Sequence, residues 1–207
     1  MTPGYIVLRS FITDPQAFAQ RRHIFAKLIQ NSGGRFLVRS DRFEVLAGGV
    51  SGFLLTVVAY PSLAAMEVIL SSPEREALEE DVRGKASLDI WSVSGLEAPA
   101  TAPPHTPPPS AEPRGYLLAR ASVPSLRRPD ADRDPIEDAL GAEGGRVLIR
   151  TNQVRLVAGP TEVPRLTLIE FPSLPKLRAA LPSSDAASTR ALWQNLGVLD
   201  LWLAPGV

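Results

Sequence analysis

The sequence predicts an α+β chain of two βαββαβ modules, each an antiparallel sheet with helices on one face, packed sheet to sheet within one polypeptide. Three observations carry this. The chain repeats itself without a gap at one constant offset: Gly4-Tyr5 falls on Gly115-Tyr116, Gly33-Gly34-Arg35 on Gly144-Gly145-Arg146, and Pro61-Ser62-Leu63 on Pro172-Ser173-Leu174. Leu88-Asp89-Ile90-Trp91 likewise falls on Leu199-Asp200-Leu201-Trp202. Within each copy, strand-like and helix-like periodicities alternate. Between the copies the composition changes to EAPATAPPHTPPPSAEPR, whose prolines lock φ and remove backbone donors without supplying large apolar side chains. The expected organisation is a first module over 1–96, a proline-rich linker over 97–114 and a diverged second module over 115–207. At ~3.1 Å per residue in polyproline II form, that linker spans on the order of 50 Å.

The elements of the first copy follow in order. Residues 5–12 are rich in β-branched and aromatic side chains and read as a strand. Asp14-Pro15 supplies an N-cap and a proline suited to the first helical turn, and Phe18, Phe25, Leu28 and Ile29 recur at helical spacing. Gly33-Gly34 ends that helix with residues that tolerate positive φ. Residues 35–39 and 43–46 read as strand segments around a polar turn, and 55–60 as another strand. Pro61-Ser62 starts a second helix carrying Leu63, Met66 and Leu70; it breaks at Ser72-Pro73, resumes through Leu78 and Val82, and gives way to a closing strand over 88–93. Such a module covers one sheet face with helices, so its other face must meet water, a ligand or another sheet, and a second module in the same chain suits that need.

These residues resemble a known family. The succession GYIVLRSFITDPQAF, GGRFLVRSDRFEVLAG, AYPSL and SSPE, with a later Arg83, is similar to domain-of-unknown-function family 1330 of the dimeric α/β-barrel superfamily. GGRFLVR is the most specific part, and the second copy keeps GGRVLIR and EFPSL but loses the Asp-Pro helix start and SSPE. The resemblance implies two ferredoxin-like modules forming an intrachain pseudodimeric α/β barrel. It implies no single chemistry, because the superfamily includes cofactor-free oxygenases, cyclases, decarboxylases and haem enzymes.

Composition narrows the chemistry. The 207 residues contain no cysteine, which excludes disulfides, thiolate metal sites and cysteine nucleophiles. Twenty-two basic side chains balance twenty-two acidic ones, so nucleic acid and anionic membranes are not expected partners. The longest apolar stretch, 53–60, is too short to cross a bilayer, and the N-terminus lacks a leader pattern, so a cytoplasmic address is expected. With two histidines, His23 among polar helix positions and His105 inside the proline segment, neither a metal centre nor a cofactor is expected. The three glycines near Gly48 join two strands and suit a hairpin, and no Gly-x-Ser-x-Gly elbow occurs.

Strand alternation nominates the side chains facing the space between the sheets. Tyr5, Val7 and Arg9 share one face of the first strand, and Asp89, Trp91 and Val93 one face of the closing strand, so Arg9 is expected beside Asp89. Arg120, Asp200, Tyr116 and Trp202 repeat the arrangement. Each charged pair fits either an ion pair that registers the two sheets or a site for a substrate anion. Arg35, Leu37 and Arg39, with counterparts Arg146, Leu148 and Arg150, alternate on the next strand and are expected either between the sheets or at a solvated rim. Glu170 replaces Ala59 of the first copy on a strand with apolar neighbours; it is the acid–base candidate, or else a salt-bridge partner of an arginine.

The expected function is binding of a small carbonyl-containing or anionic organic molecule, with cofactor-independent proton transfer of cyclase or isomerase type. Glu170, Asp89, Arg9 and Arg39 are the catalytic candidates, and Tyr5, Trp91, Tyr116, Arg120, Arg150, Asp200 and Trp202 the substrate-binding ones. A non-catalytic ligand-binding or assembly module and a cofactor-free oxygenase are the alternatives. The chain is expected to be an internal pseudodimer, with further homo-oligomerisation open.

Overall fold

A computed structural model describes residues 1–97, 112–121, 140–141, 143–181 and 198–207. Most of the proline-rich segment with His105, and most of the helical stretches expected in the second copy, lie outside the described residues.

The chain is α+β, with two antiparallel five-stranded sheets in two compact units. The first unit is made of β1 (Gly4–Ile12), α1 (Pro15–Asn31), β2 (Arg35–Ser40), β4 (Leu54–Tyr60), α2 (Leu63–Leu70), α3 (Pro73–Val82), β5 (Ala86–Ser94) and β8 (Arg155–Ala158), in sheet order β2-β4-β1-β5-β8. The second contains β3 (Glu44–Ala47), β6 (Gly115–Ala121), β7 (Arg146–Thr151), β9 (Arg165–Phe171), α4 (Leu174–Ala180) and β10 (Val198–Pro205), in order β3-β10-β6-β9-β7. Each copy keeps four of its strands in one sheet and gives one away. β3, from the first copy, pairs with β10; β8, from the second, pairs with β5. Each unit therefore draws on both copies: Met1–Asp41, Ser51–Gly95 and Val154–Glu162 form the first, and the remainder forms the second. A polar turn in the sequence marks where β3 departs, but spacing alone does not say which sheet receives it.

Local chemistry sets the boundaries. Asp14 caps α1 by accepting from the Ala17 N–H at 3.0 Å, and Ser62 and Ser72 cap α2 and α3 in the same way, which is why the Ser72-Pro73 break yields two helices. Gly33 ends α1 at φ +78, where only glycine is unstrained. Gly34 lets the chain pass under the Tyr60 ring; a Cβ there would lie 2.8 Å from that ring and from Ile29.

In the first unit the helix-facing side of the sheet presents Ile6, Leu8, Val58 and Ile90 to Ile29, Met66, Ile69 and Leu70. At about 1.5–3 kcal/mol for each fully buried aliphatic side chain, this layer is what holds the short helices on the sheet. The opposite side, with Val7, Leu55, Val57, Trp91 and Val93, is also buried. The second unit repeats the pattern, with Leu117, Ile169, Phe171 and Leu203 on the side of α4 and Leu118, Leu168 and Trp202 on the other.

Candidate functional site

The two nominated ion pairs form as strand register requires. Arg9 lies opposite Asp89, and Arg120 opposite Asp200. In the first unit Asp89 Oδ2 accepts from Arg9 Nε at 3.0 Å and Nη2 at 2.6 Å, and its Oδ1 accepts from the Thr161 N–H at 3.1 Å. Arg9 Nη2 also donates to Thr161 Oγ1 at 3.0 Å, and Trp91 Nε1 donates to the Thr161 carbonyl at 2.7 Å. The rings of Phe11, Phe53 and Trp91 sit 5.2, 5.7 and 5.6 Å from the guanidinium carbon. Arg9 and Asp89 are 5% and 3% exposed, so this is a buried pair whose bonds are spent on each other and on the Thr161 loop. Tyr5 is buried on the same face. Arg120 meets Asp200 through Nε at 2.8 Å and through Nη2, with its guanidinium carbon 5.5 Å from the Trp202 ring and Phe43 edge-on to that ring. Both pairs lock neighbouring strands together, the role their register allows.

Glu170 has both oxygens engaged. Tyr116 Oη donates to Oε1 at 2.8 Å, and Arg114 Nη1 and Arg146 Nη2 each lie 3.1 Å from Oε2. With Glu170 3% exposed, this is a buried carboxylate held by two cations and a phenol, matching the salt-bridge alternative read from the sequence. Arg114 escaped the sequence reading because it sits at the edge of the proline-rich segment.

Arg39 requires a correction. Strict alternation groups it with Arg35 and Leu37, but β2 bulges between Phe36 and Val38, so both Leu37 and Val38 are buried and every later side chain changes face. Arg39 then pairs in register with Thr56 and points to the helix side. The same bulge between Val147 and Ile149 brings Arg150 opposite Thr167. One extra residue in a strand leaves no mark in a period-2 pattern when its neighbours are all apolar.

On that helix side the first unit holds a cavity of about 80 Å³ between the sheet and the helices α1, α2 and α3. Its walls are largely aliphatic and aromatic, including Leu8, Phe18, Phe25, Ile69 and Ile90. The polar groups are few. Ser10 and Thr56, 4% and 3% exposed, line it, and neither hydroxyl has a hydrogen-bond partner among the described residues. Arg39 enters half-buried, donating to the Arg22 carbonyl at 3.2 Å and lying 5.0 Å from the Phe36 ring, with no carboxylate partner among the described residues. Burial, and secondarily the like charge of Arg22, lowers the Arg39 pKa below its ordinary value. Of the other cations at the cavity, Arg21 pairs with Asp81 and Arg75 with Glu79, while Arg22 has no ion-pair partner among the described residues. Glu79 is the one carboxylate on the cavity wall among the described residues.

Ser10 and Thr56 were missed because strand reading looked to the opposite face. Their signal is parity: Ser10 follows Ile6 and Leu8, and Thr56 precedes Val58, on strand faces that are otherwise apolar. His23 is exposed, as its polar helix neighbours imply, and no group of three His, Asp or Glu side chains converges among the described residues.

The sequence comparison decides the lineage. The model of a family described as domain of unknown function, DUF1330, matches residues 3–96 and again 114–207. The chain belongs to the DUF1330 family. No curated protein matches it. Among solved structures this DUF1330 chain is similar to an anthrone oxidase-like protein, at 16% identity over 99% of this chain and 91% of that one, with a TM-score of 0.51. It is also similar to a mutant chlorite dismutase from Candidatus Nitrospira defluvii, at 11% identity over 99% and 91% of the two chains, with a TM-score of 0.52. At such identities the likeness is one of fold alone. The two DUF1330 repeats have diverged at the polar positions. Ser10 corresponds to Ala121, Leu54 to Arg165, Ala59 to Glu170, and Val50 to Thr161. No helix among the described residues is long and apolar enough to cross a membrane.

Proposed function

We propose that this chain binds a small organic anion with an apolar body in the helix-side cavity of the first unit, and moves a proton on it without a cofactor, as a cyclase or isomerase. The observation that carries the reading is Arg39, a half-buried guanidinium with no carboxylate partner among the described residues, in an apolar cavity. Holding such a cation out of water is unfavourable, and a ligand anion repays it with a charge-assisted contact in a low-dielectric setting. Ser10 and Thr56 add two hydroxyls able to donate to a carbonyl or enolate oxygen. In this reading the proton acceptor is Glu79, which lines the cavity, rather than Glu170, whose oxygens are occupied. The engagement of Glu79 by Arg75 favours a second reading, ligand binding without turnover.

Phenylpyruvate, a carboxylate with an apolar arm and an acidic C3–H, tests both. The proton-transfer reading expects the protein to accelerate C3 hydrogen–deuterium exchange followed by NMR in D2O, with the acceleration lost in Glu79→Gln and binding weakened about tenfold or more in Arg39→Gln. Binding without acceleration leaves the non-catalytic reading. Unchanged binding in Arg39→Gln would remove the anion site itself.

A further inference from the structure

Beside the cavity lies a larger recess of about 270 Å³, also within the first unit. The two share four lining residues, Ser10, Phe18, Leu54 and Arg22, so they meet at a common neck. The recess continues under the first turns of α1, where Pro15, Ala19 and Arg22 follow one another at helical spacing, and the cavity continues under Phe25 and Ile29. Together they follow α1 for about 21 Å from Pro15 to Ile29.

The chemistry differs along this path. The cavity end is apolar apart from the groups already named. The neck carries the Ser10 hydroxyl, 4% exposed and without a partner among the described residues, and the Arg22 guanidinium, which has no ion-pair partner among them. The recess end exposes Asp41 beside Phe53 and the open turn at Gly52. Anion-binding groups thus stand at the middle of the path, and polar and apolar compartments lie on either side.

Resting on the proposed function, we infer that the ligand is two-armed: a carboxylate or enolate held at the neck by Arg22 and Ser10 and met from the cavity side by Arg39, with an apolar arm in the cavity and an uncharged polar arm in the recess. An α-substituted carboxylate of the acylamino-acid or β-dicarbonyl class has this form. A simple fatty or aryl acid fills one compartment and leaves the other to water.

A matched pair of probes tests the inference on the full chain. 3-Phenylpropionate carries the carboxylate and the apolar arm; N-acetylphenylalanine adds an acetamido arm at the α-carbon. Calorimetry is expected to give N-acetylphenylalanine about tenfold tighter binding. Ala19 is exposed and lines the recess alone, so Ala19→Trp, with Ala19→Leu as a smaller plug, is expected to erase that advantage and leave 3-phenylpropionate binding unchanged. Equal affinity of the two probes, or an advantage that survives both plugs, overturns the two-armed ligand and leaves the cavity reading standing. Failure of both probes to bind overturns the cavity reading, and this inference with it.

Discussion

Two arginines of one sheet, on β1 and β2, show how burial and pairing together decide what a charged side chain does. Arg9 is boxed by three aromatic rings and satisfied by Asp89 and Thr161, so its charge is spent inside the protein. Arg39 has one backbone carbonyl and one ring, which in the proposed function leaves its charge for a ligand. Tyr60 makes a related point about stability. Its hydroxyl is buried and lies 3.4 Å from Ser32 Oγ; burial raises its pKa above the ordinary value near 10, and the Ser32 contact opposes part of that rise. A raised folded-state pKa means that the folded protein holds this proton longer than the unfolded chain does. The stabilisation is therefore complete below about pH 10 and is lost as pH rises through the folded-state pKa. Urea unfolding between about pH 8 and 11 is expected to show stability falling at the alkaline end, with a shallower fall in Tyr60→Phe. Equal slopes in the two proteins would assign the fall to other groups.

The legible and illegible parts of the fold separate at the level of elements. Caps and breaks were readable, because Asp14-Pro15, Ser62 and Ser72-Pro73 act within one turn of where they stand. So was the contact of Arg9 with Asp89, since antiparallel register places the end of the first strand beside the start of the last. The bulges in β2 and β7 were not, and the face of Arg39 went with them. The destinations of β3 and β8 were equally hidden, because a four-residue strand carries too little pattern to choose between two sheets. Their docking nevertheless has a chemical mark. Gly159, just past β8, adopts φ +93, and a Cβ there would lie 2.2 Å from the Leu88 carbonyl oxygen and 2.6 Å from Asp89 Oδ1. Gly84 has φ +77 with open space around it. Gly84→Ala is expected to cost about 1 kcal/mol from backbone strain alone, whereas Gly159→Ala must also push β8 off β5 and should cost about 3 kcal/mol or more. Chemical denaturation of the two variants checks the difference; equal costs would mean that the Gly159 contact relaxes freely.

At the scale of the whole molecule, reciprocal strand donation makes each half of the sequence incomplete. A chain ending at residue 96 retains the cavity residues but lacks β8, which leaves β5 as an open edge, and it carries a β3 with no β10 to join. The two donated strands dock in equivalent registers. Ala47 lies opposite Leu201 and Val45 opposite Trp202, just as Ala158 lies opposite Ile90 and Leu156 opposite Trp91. Two copies of residues 1–96 can satisfy both needs at once if each lends β3 to the other's β5, a closed two-fold arrangement that removes both open edges. That exchange sacrifices the Thr161 hydroxyl contact, because Val50 stands at the equivalent position and offers Arg9 no side-chain oxygen. The fragment is therefore expected to sediment as a dimer that unfolds on dilution, and Val50→Thr is expected to lower the concentration at which this happens. A folded, concentration-independent monomer of residues 1–96 would show that β5 needs no partner strand, and that the second half is not required to complete the first.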